Sequence, residues 1–193
     1  MNKLKKLILI IVTCFNANLI AEVKLPADAV PLFQAQEGFL KQREKLSEVR
    51  LYLHGEIEKV YKKESNPDDL DKHNAIKIAY LQSRIMRLNE IRNKADFYSQ
   101  IIAQMHLTVM YEFNFKVSKL KNESVLKNHY AFKNTVFKTA RRLHDSNVKK
   151  IKSLQLKVEN TTAVVAIDNL LDYYEKINLL LEKNGHKSIL EGK

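Results

Sequence analysis

Six histidines, His54, His73, His106, His129, His144 and His186, are the side chains best suited to acid–base or metal chemistry. None has Asp or Glu three residues before it, so the Glu-x-x-His pair that builds di-metal sites inside helical bundles is missing. His73 follows Asp69 by four residues, which sets both on one helical face, but a lone pair beside a helix start reads as a surface contact. His144 and Asp145 are sequence neighbours, and on a helix neighbours point to different sides. There is no Cys/His cluster, no Gly-x-Ser-x-Gly and no glycine-rich phosphate loop. These patterns point away from an enzyme, and no cofactor or metal is expected.

Cationic side chains are the chemistry the chain has in quantity. Between Lys116 and Lys157 twelve Lys and Arg stand against only Glu123 and Asp145, a local charge of +10 in a chain whose formal total is +11. If a helix over this stretch is turned at 100° per residue with Val136, Leu143 and Leu154 inward, six cations gather on the opposite side. These are Lys127, Lys138, Arg141, Arg142, Lys149 and Lys152. Such a stripe attracts polyanions and speeds their encounter at low salt. The plainer reading is the solvated outer face that any soluble helix presents.

The elements that would carry this stripe follow from what the sequence leaves out. From Asp68 to Asn184 there is neither glycine nor proline across 117 residues. Both residues disfavour helix interiors, so the stretch is built for long helices, and it lacks the glycines that bring backbone close to a ligand. The expected fold is all-α: an elongated antiparallel bundle of about four helices with a coiled-coil-like hairpin.

A first helix is expected over about 32–63, because Leu32, Phe39, Leu46, Leu53 and Val60 fall seven apart, with Ala35 and Val49 beside them. Gly38 and Gly55 weaken it locally. Ser65-Asn66-Pro67-Asp68-Asp69 then supplies a cap, a proline for the first helical position and acids for the first turn. A second helix, 67–120, carries the best seam: Leu81, Ile85, Leu88, Ile91, Ala95, Tyr98, Ile102, Met105, Val109, Phe113, Val117 and Leu120. Its mean step of about 3.5 residues is the period of a left-handed coiled coil, and it passes Asn93 and Asp96 without a phase change.

Lys121-Asn122-Glu123-Ser124 reads as a turn, with Ser124 the expected cap of a basic third helix at 125–158. Folding back there would bring Tyr111, Phe113 and Phe115 near Tyr130 and Phe132 as core at one end of the hairpin. A fourth helix, 162–184, begins at Asn160-Thr161-Thr162 and stops at Asn184-Gly185, leaving 186–193 as a flexible polar tail.

Residues 1–21 have the build of a cleaved signal peptide: Lys3, Lys5 and Lys6, an apolar run from Leu7 to Val12, and the small residue Ala21. That run is shorter than the ~20 residues a membrane span needs, so no transmembrane span is expected in the mature chain. A second reading takes Ile11-Val12-Thr13-Cys14 as a lipobox that would lipidate Cys14, although Thr13 departs from the usual small residue. Residues 22–185 then form one all-helical domain, with thirty basic and twenty-two acidic residues from Glu22 onward, net +8.

Together these features describe an exported, non-enzymatic interaction protein of periplasm or cell surface. Its partner would be another protein or an anionic glycan or lipid head group met through the basic helix, with self-association open. Nucleic acid is disfavoured by export and by the absence of aromatics interleaved on the basic face. The alternatives are a periplasmic holdase-type chaperone and a structural or assembly subunit of a cell-envelope machine.

Overall fold

A computed structural model describes residues 25–63, 71–118 and 122–188. The proposed signal peptide with Cys14, the Ser65–Asp69 break and the last five residues lie outside them. Four helices make up the described chain: α1 (Ala29–Lys63), α2 (Lys72–Ser118), α3 (Glu123–Gln155) and α4 (Thr161–Lys183). α2 runs unbroken through Asn93 and Asp96, a length of about 70 Å at 1.5 Å per residue.

The helices close into a ring in which α1 packs on α2 and α4, while α3 packs on α2 and α4. Every neighbouring pair is antiparallel, since partners count up one helix and down the next. Arg43 meets Asp96 and Arg50 meets Asn89 across α1 and α2. Lys150 meets Glu90 while Asn147 meets the Lys94 carbonyl across α2 and α3. The seams expected on the first two helices form the inner face: Leu32, Ala35, Phe39, Leu46, Val49, Leu53 and Val60 of α1, and Leu81 through Val109 of α2, are buried.

Four rings, one from each helix, meet at mid-bundle. Tyr98 stacks on Tyr174 with centroids 4.7 Å apart, Phe39 meets both edge-on, and His144 packs edge-on against both tyrosines. Rings in edge-to-face and offset contact contribute beyond their buried area, which makes this layer a register mark for the whole bundle. Burial pushes both phenols well above the ordinary tyrosine range. Asn147 donates to the Tyr174 hydroxyl at 3.1 Å.

Two local expectations are corrected. Asn122, not Ser124, caps α3: its side chain accepts from the Val125 amide at 3.2 Å. The aromatics near the α2–α3 turn do approach one another, since Tyr111 and Phe115 pack on His129, yet they are not core. Tyr111, Tyr130 and Phe132 are 60%, 46% and 56% exposed. The cause is length, because α1 begins at Ala29, only one turn before the Phe33 that meets His106, so the hairpin projects past it as a two-helix tip.

Candidate functional site

α3 is amphipathic because its inward positions recur at three and four residues: Val136 and Phe137, Ala140, His144, Asn147, Ile151 and Leu154. On its other side Lys127, Lys138, Arg142, Lys149 and Lys152 are exposed. None of these five is ion-paired among the described residues. Neighbouring cations of the same helix are engaged instead. Lys133 reaches Glu112 at 2.5 Å and lies over the Phe137 ring, and Lys150 reaches Glu90 at 3.5 Å. Burial works to raise the Glu112 carboxyl, but hydrogen bonds from Lys116 and Lys133 outweigh it and hold the group below its ordinary range.

Arg141, the sixth expected member of the stripe, is not on the surface. Only 7% of it is exposed, in a polar cluster between α3, α4 and the chain that follows. Its Nη1 donates to Asp145 Oδ1 at 3.1 Å and to Asn178 Oδ1 at 2.7 Å, and its Nε donates to the His186 carbonyl at 2.8 Å. Asp145, also buried, accepts from the Ser188 hydroxyl at 3.2 Å.

The reason lies at the end of α4. Gly185 takes φ 83°, a left-handed conformation that glycine adopts without penalty, and the His186 amide returns to the Leu181 carbonyl at 2.9 Å. This reversal lays residues 186–188 back across α3, over positions that the helix alone would leave in water. So the start of the expected flexible tail is docked, and the stripe loses Arg141 to the interior.

His144 and Asp145 are likewise brought together. His144 Nδ1 lies 3.0 Å from Asp145 Oδ1, and Nε2 lies 3.0 Å from the Tyr174 carbonyl. Both partners can accept a hydrogen bond from the ring. The buried Arg141, Asp145 and His144 are thus engaged by neighbouring groups of α3, α4 and the segment that follows. The ring of His186, on the covering segment, is held below the ordinary histidine range by burial first, then by the charges of Arg141 and Lys138.

Among the described residues no three His, Cys, Asp or Glu side chains gather as a metal site would need, and no helix is long and apolar enough to cross a membrane. Asp69 of the Asp69–His73 pair lies outside the described residues. Compared with known protein families, with curated proteins and with solved structures, the chain matches none at a meaningful level.

Proposed function

We propose that this chain is an exported, non-enzymatic helical binding protein that engages an anionic glycan or lipid head group through the outer face of α3. One observation carries the reading: five cations on one helix face are exposed and free of carboxylate partners among the described residues, while Lys133, Arg141 and Lys150 of the same helix are paired. A merely solvated face in a chain with twenty-two acidic residues would be expected to interleave the two signs. The lysine-led apolar leader supports the export half of the reading.

The test is binding of the mature chain to heparin and to vesicles carrying anionic lipid, measured from low to moderate salt. Lys138→Glu, Arg142→Glu and Lys149→Glu together should abolish a steeply salt-dependent interaction while leaving the melting temperature in place. Equal binding by the variant would refute the assignment of the site. The two-helix tip favours one second reading, a holdase-type chaperone. Its exposed Tyr111, Tyr130 and Phe132 offer an apolar grip on unfolded clients, and suppression of aggregation that is lost in a Tyr111→Ser, Phe132→Ser variant would support it.

A further inference from the structure

The five unpaired cations of α3 lie in a line, not a patch. Lys127, Lys138, Arg142, Lys149 and Lys152 follow one another at steps of eleven, four, seven and three residues, each close to a whole number of helical turns. They therefore run parallel to the helix axis, over about 38 Å at 1.5 Å per residue.

What stands between the cations narrows the ligand. From Asn134 to Ser153 every fully exposed residue of α3 is a Lys, an Arg or one of Asn134, Thr135, Ser146 and Ser153. The one carboxylate of that stretch, Asp145, is buried. Thr135 and Ser153 donate their hydroxyl protons to the Ala131 and Lys150 carbonyls, which leaves their oxygens to accept from a ligand hydroxyl. The exposed face thus offers cations for acidic groups and neutral polar groups for hydroxyls, with no apolar anchor among them.

α4 bounds the line on one side. Asp168, Asp172 and Glu175 are exposed and spaced by four and three, so they share one helix face, and Asp168 accepts from Gln155 of α3. Packed helices lie about 8–10 Å apart, so this acidic edge is within about one Debye length of the cations at 0.1 M salt.

We propose that the ligand of this face is a linear acidic polysaccharide lying lengthwise along α3, a proposal that rests on α3 being the binding face at all. A narrow chain can follow the cations and stay clear of the α4 edge. An anionic bilayer is broad, would meet both helices, and is ordinarily held by apolar side chains that the exposed face from Asn134 to Ser153 lacks. Single-stranded nucleic acid needs aromatic rings on which to stack its bases, and that face has none.

The test is binding of the mature chain to heparin fragments of graded length. Affinity should rise by about tenfold or more from disaccharide to dodecasaccharide, since the longer chain engages several cations at once. At about 0.7 counterions released per cation, the dodecasaccharide should show a log–log salt slope near −3.5, roughly a hundredfold loss from ~50 to ~200 mM salt. Lys127→Gln with Lys152→Gln, at the two ends of the line, should reduce that slope to about −2 with the melting temperature unchanged.

If charge reversal at Lys138, Arg142 and Lys149 leaves heparin binding intact, the α3 site itself falls and this proposal with it. Loss of binding in that variant keeps the site, and three results would then overturn the linear polysaccharide alone. These are a disaccharide that binds as tightly as the dodecasaccharide, a slope indifferent to the end substitutions, or tighter binding to anionic vesicles or single-stranded RNA than to the dodecasaccharide.

Discussion

Removing the Arg141 guanidinium should be the most damaging single change among the six cations first assigned to the basic face. Arg141 is 7% exposed and supplies hydrogen bonds to Asp145, Asn178 and the His186 carbonyl. In Arg141→Met the stem still fills space, but Asp145 loses its strongest partner in a site that is 4% exposed. Stranding one member of a buried ion pair costs about 3–5 kcal/mol, whereas removing an exposed unpaired lysine changes stability by within about 0.5 kcal/mol.

For a domain of this size each kcal/mol moves the melting temperature by about 2–4 °C, so Arg141→Met should melt roughly 10 °C lower and Lys138→Gln at nearly the wild-type value. Pairing Arg141→Met with Asp145→Asn removes the stranded charge and leaves an acceptor for His144, so the double variant should recover part of the loss. Thermal melts by circular dichroism on the wild type, Arg141→Met, Asp145→Asn and their double complete the cycle, with Lys138→Gln as the surface control. If Arg141→Met melts with Lys138→Gln and loses heparin affinity instead, Arg141 belongs to the surface and the docking of residues 186–188 is wrong.

Two glycines in α1 should respond in opposite directions. Gly55 has open space where a Cβ would go, so Gly55→Ala should stabilise by about 1 kcal/mol, while a Cβ on Gly38 would fall inside the Tyr173 ring. Gly38→Ala should therefore cost roughly 1–3 kcal/mol and turn stabilising in a Tyr173→Ala background; two stabilising alanines in the wild type would contradict this close approach. His186, whose charged form is disfavoured in the folded chain, should titrate below free histidine by NMR, and Lys138→Gln should raise its midpoint. Because the folded value is the lower one, docking of residues 186–188 weakens as pH falls below about 6.5, the unperturbed histidine value, which amide exchange across 186–188 would report. A midpoint at or above the free value would remove the basis for this.

The fold was legible because it rests on local periodicity. Leu32, Phe39, Leu46, Leu53 and Val60 could be assigned inward from spacing alone, and Gly185 from its place after Asn184, since a helix face and a helix end are set by residues near in sequence. Arg141 and Asp145 could not be placed that way. On the helix they belong to the outside, and what covers them arrives from His186 and Ser188, more than forty positions along. The tip aromatics were misjudged for a related reason: their pairing is local, but whether a third helix covers them depends on where α1 starts against α2.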